Sequence, residues 1–293
     1  MATTRAVSGD TRFFRFTQIE LPWAVGPPDG RYLLRADGEP PEAPPAHVLV
    51  IATLGAPERR RLARKKRQAE PQPEPELVTT GRATVIDVGE AFASEAQAHA
   101  WLRNAGEDDF ADGLAVLNRA LHAFRLVTAD PYLTPVGRHQ ALVARVGYGA
   151  GEQVADGLWT HANELAHSRG RQRRATVLQP QARLAAALNG RERSLASQEL
   201  TLRARLDLDH GRDREATLQV LVALDAAIAE LTLDPAADAL GDRLEELRGR
   251  RDITAVAAQE ALAGPLTPAR LEEVVFTLQR IEAIFRARAV ANA

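Results

Sequence analysis

With 293 residues, 45% of them hydrophobic and 26% charged, the chain has the composition of a soluble globular protein of about two domains. It contains no cysteine, which excludes disulfide bonds, thiol nucleophiles and thiolate metal sites. Its formal net charge of −2 excludes a uniformly basic nucleic-acid binder. No apolar run approaches the roughly 18 residues that cross a bilayer, and the first residues lack the apolar segment of a secretory signal, so we expect a cytoplasmic protein with no membrane partner.

Four segments in the first third of the chain have the period-two pattern of β-strands. The first alternates apolar and polar residues, but the alternation changes phase near Thr17 and Gln18, which predicts a β-bulge. The third is apolar on both parities, as is typical of a central strand that is covered on both faces. A Pro-Pro-Asp-Gly turn joins the first two strands into a hairpin. The predicted strands cover residues 13–23, 31–36, 47–54 and 77–88.

From Glu90 onwards the hydrophobic period changes from two to 3.6, which predicts helices. Ser94 and Gln97 form a capping-box pattern at the start of a short helix. Residues 141–146 fit a short strand or a helical piece, and the glycine-rich residues 147–151 predict a break. The second helix carries an apolar stripe of Phe110, Leu114, Leu117, Leu121 and Phe124. Later helices are predicted at about 152–168, 174–189, 193–209, 213–232, 236–250, 252–263 and 268–290.

Strands first and helices afterwards predict an α+β fold rather than alternating βαβ units. We expect a small N-terminal antiparallel β-sheet with a long basic insertion, followed by a C-terminal α-helical bundle. The β-rich domain is predicted at residues 12–88, with the basic and proline-rich insertion at 56–76. The helical domain is predicted at 90–291, and the break near 130–150 offers a sub-boundary within it.

Two of the C-terminal helices carry apolar seams with coiled-coil-like spacing. The seams are too short for a free-standing coiled coil, so they fit antiparallel packing within a bundle or pairing with a second copy of the chain. The seam residues are Leu221, Leu224, Ile228 and Leu231 in one helix and Leu271, Val274, Leu278, Ile281 and Phe285 in the other.

The most specific feature of the sequence is the basic run, residues 59–67, in which seven of nine positions are cationic. The pattern permits a helix, but too few of its residues are apolar to cover a sheet, so we expect the run to project into solvent or onto a partner. The chain has only two lysines, and both lie in this run. The candidate anion-binding residues are Arg59, Arg60, Arg61, Arg64, Lys65, Lys66 and Arg67.

The basic run can be interpreted as a binding segment or as a solvated loop without a binding role. Arginine and lysine bind phosphate backbone by releasing its condensed counterions. Alternatively, the run is a solvated loop whose charge is balanced by Glu70, Glu74 and Glu76. No aromatic residue interleaves the cations, so we expect recognition of backbone or shape rather than base stacking.

His161, Glu164 and His167 have a spacing that invites a metal-site interpretation. On a helix, steps of three place these side chains on one arc, and Glu-x-x-His is half of a di-iron bundle motif. Asp207 and His210 offer a second half with aspartate in place of glutamate. Such sites also need two further carboxylates, which the sequence does not single out, so surface histidines are the alternative and no metal ligand is assigned.

Gly147, Gly149 and Gly151 imitate a dinucleotide-binding fingerprint after an apolar run. Glu152 stands where the third glycine of that pattern belongs, and no following strand supplies the acidic residue that binds ribose. The sequence therefore favours a chain reversal over a phosphate loop.

These observations predict a non-enzymatic cytoplasmic binding module whose basic run contacts nucleic-acid backbone or another polyanion, with no cofactor. One alternative is a structural or assembly subunit that forms a homo-oligomer or a larger particle through its C-terminal helices. The other is a metal-dependent helical-bundle enzyme built around His161, Glu164 and His167.

Overall fold

A computed structural model describes most of the chain and confirms the α+β class. By contacts, the chain divides into two compact units, Met1–Ser168 (unit 1) and Arg169–Ala293 (unit 2). The insertion at 56–76 and nearly all of the predicted helix at 174–189 lie outside the described residues. The described residues are 12–36, 39–40, 42–55, 79–166, 188 and 194–291.

Unit 1 is built on a six-stranded antiparallel sheet with the strand order β2-β3-β4-β1-β5-β6. All four predicted strands are present, and two more follow later in the chain. The strands are β1 (Phe13–Leu21), β2 (Gly30–Leu34), β3 (His47–Leu54), β4 (Thr80–Asp87), β5 (Val143–Ala150) and β6 (His161–Glu164).

The predicted bulge in β1 is wrong, because its register runs without a skip against both β4 and β5. The change of phase instead reflects burial of both faces of this central strand. Phe16 packs on one face and Ile19 on the other. Gln18, which is fully buried, donates from Nε2 to Thr84 Oγ1 at 3.1 Å and accepts from Arg145 Nη1 at 3.1 Å. Gln18 is therefore hydrogen-bonded at a position where the alternation predicted an apolar side chain.

Two helices, α1 (Glu95–Leu102) and α2 (Glu107–Thr128), cover one face of the sheet. Phe110, Leu117 and Leu121 are buried there, which confirms the predicted stripe. At Gly113 the helix approaches β1 so closely that a Cβ atom would lie 2.3 Å from Thr17 Cβ. The absence of a side chain at this position therefore sets how closely α2 packs on the sheet.

The predicted break at 147–151 and the predicted helix at 152–168 are wrong. The glycines lie in β5, which is followed by the short helix α3 (Gly151–Ala155) and then by β6. A Cβ atom on Gly147 would lie 2.5 Å from the His161 carbonyl oxygen, and one on Gly149 would lie 2.8 Å from Val154 Cγ2. These glycines thus permit close packing of the returning chain against β5 rather than a reversal.

The division between the compact units does not coincide with the domain boundary expected between residues 88 and 90. Helices α1 and α2 supply core residues that cover the sheet, and β5 pairs with the central strand β1. Residues 90–168 therefore belong to the same compact unit as the N-terminal strands.

Replacing Gly113 with Ala should destabilise unit 1 by about 1–3 kcal/mol, because the added methyl group overpacks the contact with Thr17 and outweighs the gain in helix propensity. All three tryptophans lie in unit 1, so denaturant unfolding followed by tryptophan fluorescence measures this loss. Gly249→Ala is the matched control, since that helical glycine has open space around it and should stabilise unit 2 by about 0.5–1 kcal/mol in circular dichroism. Equal effects of the two changes would contradict the packing argument.

Unit 2 is helical in its described part, and its core contains the two predicted seams. Leu224, Leu231, Val274, Leu278 and Ile281 are buried, whereas the other seam residues are partly buried. No helix in the described part of the whole chain has the length and apolar character required to cross a membrane. The unit 2 helices are α4 (Ala196–Asp209), α5 (Asp213–Thr232), α6 (Gly241–Ala263) and α7 (Pro268–Ala291).

The predicted separation into helices at 236–250 and 252–263 is wrong, because α6 continues through this region. Leu247, Thr254 and Ala258 are buried along the same helix, so the charged residues between them lie outside the core stripe. Arg250 donates to Thr277 Oγ1 at 3.1 Å and thereby ties α6 to α7. Part of the charged stretch between these buried residues is thus used for contacts between helices.

Replacing Leu278 with Ala should lower the free energy of unfolding by about 2–5 kcal/mol, because the side chain is fully buried in the seam of α7. Far-UV circular dichroism during denaturant unfolding is the measurement. Leu202→Ala on α4 is the control, since that side chain is 66% exposed and should change stability by less than about 0.5 kcal/mol. A change of less than about 0.5 kcal/mol in the free energy of unfolding at Leu278 would contradict its burial and would indicate that the seam packs only against a partner chain.

Candidate functional site

A cavity of about 430 Å³ lies in unit 1 between the sheet and α2. Strands β1, β3 and β4 form one side, and α2 together with Trp101 of α1 forms the other. Thr17 and Gly113, at the close approach of α2 to β1, both line it. Its volume falls in the lower part of the range of about 300–1,000 Å³ that is usual for small-molecule pockets.

An ion pair between Arg15 of β1 and Asp87 of β4 lies in the wall of this cavity. The guanidinium donates from Nε at 2.7 Å and from Nη2 at 2.5 Å to the same oxygen, Asp87 Oδ2. The other carboxylate oxygen accepts a hydrogen bond from the Gly89 N–H at 3.0 Å. Two of the donors of Arg15 are therefore already engaged, and Asp87 is held in place from both sides.

His47 of β3 lies directly opposite Asp87 in the sheet register and also lines the cavity. Its Nδ1 atom is buried without a hydrogen-bond partner among the described residues. Burial lowers the pKa of His47 from the ordinary 6.5; Asp87 opposes this shift, and the positive charges of Arg119 and Arg15 add to it. The lowered pKa therefore favours the neutral imidazole at pH 7.

Two carboxylates from the start of α2 face the same space. Asp109 accepts a hydrogen bond from the Gly106 N–H through Oδ2 at 2.9 Å, which caps the helix. Asp112, one turn further on, is exposed and forms no ion pair with a described residue. With Asp87, the lining holds three carboxylates, one guanidinium and a neutral imidazole, so it is net anionic.

The seven cations of the basic run lie outside the described residues, but the points where their segment joins the sheet are described. Leu54 ends β3 and Thr80 begins β4, and these two residues are paired in the register. The cavity residues His47 and Asp87 lie at the opposite ends of the same two strands. The structure thus does not bring the attachment points of the basic run to the cavity.

The helical metal motif is wrong, because residues 161–164 form strand β6 and place His161 and Glu164 on opposite faces. Glu164 pairs with Arg145 at 3.2 Å, and His167 lies outside the described residues. In the proposed second half, Asp207 pairs with Arg212 at 2.7 Å. Across the described ranges, no group of three or more histidine and acidic side chains could hold a metal ion.

Sequence reasoning did not find the cavity residues, although two of them leave a weak signal. Arg15 and Asp87 are charged residues that share a strand face with buried apolar residues, Ile19 in β1 and Val85 in β4, which marks positions that need a partner. They are 72 positions apart, so pairing them requires the strand register. His47, Asp109 and Asp112 have no distinguishing local pattern.

Comparisons with protein-family models, with curated proteins and with solved structures each give no match to the chain.

Replacing His47 with Gln should reduce the pH dependence of the stability of unit 1. Because the pKa of His47 is lowered in the folded state, the unfolded chain binds the proton more readily, and stability is lost as the pH falls from about 6.5 through the folded value. Between pH 7.5 and 5.5 the wild type should therefore lose more free energy of unfolding than the variant, as followed by tryptophan fluorescence.

The matched control for this measurement is His139→Gln, which changes an exposed histidine of the same unit and should keep the wild-type pH dependence. Equal pH dependence in the wild type and in His47→Gln would contradict the lowered pKa of the half-buried His47.

Proposed function

We propose that the protein is a non-enzymatic binding module whose basic run, residues 59–67, contacts the phosphate backbone of a nucleic acid. The observation that carries this proposal is the density of charge, with seven cations in nine positions of a segment too polar to cover a sheet. Such a segment has no evident role in a hydrophobic core. Closely spaced cations bind phosphate backbone well, because each phosphate that they neutralise releases condensed counterions and so increases affinity.

The attachment of the segment supports this role. Strands β3 and β4 are paired over eight consecutive positions up to Leu54 and Thr80, where the segment leaves and rejoins the sheet. Near this end, the Thr53 N–H and hydroxyl donate to the Asp29 carboxylate at 2.9 and 2.8 Å. The residues that flank the segment are therefore fixed side by side on paired strands, so the segment leaves and rejoins unit 1 at the same end of the sheet.

Many arginines of the described residues are paired with carboxylates. Arg205 binds Glu282 at 2.8 Å and so ties α4 to α7. The buried Arg288 binds Asp234 at 2.8 Å. Within residues 58–76 the seven cations exceed the nearby acids, which are Glu58, Glu70, Glu74 and Glu76. The run thus carries excess positive charge that its own segment does not balance.

The features that suggested an assembly subunit or a metal-dependent enzyme give less support to those alternatives in the described residues. Seven of the nine seam residues of the C-terminal helices lie in or against the core of unit 2, so the seams give less support to assembly through a second copy of the chain. The metal-dependent enzyme depended on a helix across residues 161–167, and residues 161–164 form a strand. Nucleic-acid backbone binding depends on the basic run, which lies outside the described residues, so its support is the charge pattern of the sequence.

Binding should be steeply salt-dependent and nearly independent of base sequence. If about four of the seven cations engage at once, log K against log salt should have a slope of about −3 to −4. Replacing Arg64, Lys65 and Lys66 with Ala should flatten the slope by up to about three units without changing the melting temperature, because exposed charges contribute little to folding. Fluorescence anisotropy with single- and double-stranded DNA and RNA at several salt concentrations is the measurement.

The matched control removes three positive charges elsewhere, by replacing the exposed Arg12, Arg243 and Arg286 with Ala. This variant should keep the wild-type slope. Absence of binding to every probe near 50 mM salt, or equal loss in the two triple variants, would overturn the proposal. Equal loss would mean that net charge rather than the basic run drives the interaction.

A further inference from the structure

We propose that the cavity between the sheet and α2 in unit 1 binds a small organic cation, an amine that carries an apolar group. This site is separate from the basic run, since it is formed by residues of β1, β3, β4, α1 and α2. It would take a ligand of the opposite charge to nucleic acid, so it represents a second binding activity rather than part of the first.

The charge of the lining selects a cation over an anion. Asp112 carries a carboxylate that forms no ion pair with a described residue, and Asp109 uses one oxygen to accept the Gly106 N–H. The guanidinium of Arg15 directs Nε and Nη2 to Asp87, so much of its charge is already neutralised. Beside this ion pair, a bound anion would meet the carboxylates of Asp109 and Asp112, whereas a bound ammonium group would find an acid without an ion pair.

The apolar and aromatic part of the lining selects an organic cation over a bare metal ion. Val85 and Val116 offer hydrocarbon contacts, and the indole of Trp101 is held against Phe92 with ring centroids 5.6 Å apart. The negative face of an indole attracts ammonium groups. An alkyl- or arylammonium ion can use the carboxylates and the apolar wall together, which a hydrated metal ion cannot.

The unpaired ring nitrogen of His47 is a further feature of the cavity that a ligand would explain. His47 lines the cavity, and its Nδ1 atom is buried without a partner among the described residues. A buried hydrogen-bonding nitrogen is unfavourable unless it is paired. A neutral imidazole accepts a hydrogen bond at its unprotonated nitrogen, and the N–H of an amine supplies the donor.

The test uses the full chain and three probes of similar size, namely 2-phenylethylamine, 2-phenylethanol and 3-phenylpropionate. Isothermal titration calorimetry at low salt should show the amine binding at least tenfold more tightly than the neutral alcohol, and the carboxylate should bind most weakly. Absence of amine binding, or equal binding of the alcohol or the carboxylate, would overturn the proposal.

Two variants of α2 locate the binding site. Asp112→Asn removes the exposed carboxylate of the cavity and should weaken amine binding about three- to tenfold. Asp108→Asn makes the same charge change on the same helix at an exposed residue outside the lining, and should leave affinity unchanged. Equal weakening by both variants would show a general charge effect and overturn the site. Alanine at Arg64, Lys65 and Lys66 should leave amine binding intact, so the two activities are tested independently.

Discussion

Burial of strand β1 on both faces is the constraint on which unit 1 depends. β1 pairs with β4 on one side and β5 on the other, so its backbone donors and acceptors are used within the sheet. Phe16 then belongs to one apolar cluster and Ile19 to another. A polar side chain on such a strand is tolerated when it is hydrogen-bonded, as Gln18 is by Thr84 and Arg145. The same strand supplies Thr17, against which α2 packs at its closest approach.

The sequence pattern predicted those elements in which the buried apolar residues repeat at one regular spacing. Helix α2 was predictable because Phe110, Leu117 and Leu121 repeat at helical spacing and all face one core. Strand β5 was not, since its glycines are locally typical of a break. What makes them strand residues is the close approach of His161 and Val154, which lie later in the chain. Such long-range contacts leave no mark in a window of a few residues.

The basic run and the cavity also differ in how far the sequence alone could reveal them. The basic run is contiguous, so its charge is visible in the sequence without any knowledge of the fold. The cavity is assembled from separate elements, and pairs such as Arg15 with Asp87 exist only because the strand register brings them together. His47 becomes informative only when its burial and its unpaired nitrogen are known. Composition alone, with a net charge close to zero, conceals both concentrations of charge.

The sheet keeps the two concentrations of charge apart at the points where they are fixed to it. His47 and Leu54 are the first and last residues of β3, which at about 3.3 Å per residue separates them by about 23 Å. This distance is more than twice the Debye length of about 8 Å at physiological ionic strength. The carboxylates of the cavity therefore do not neutralise the end of the sheet that anchors the basic run. One antiparallel strand pair thus fixes the lining of the cavity at one end and the attachment points of the basic run at the other, about 23 Å away.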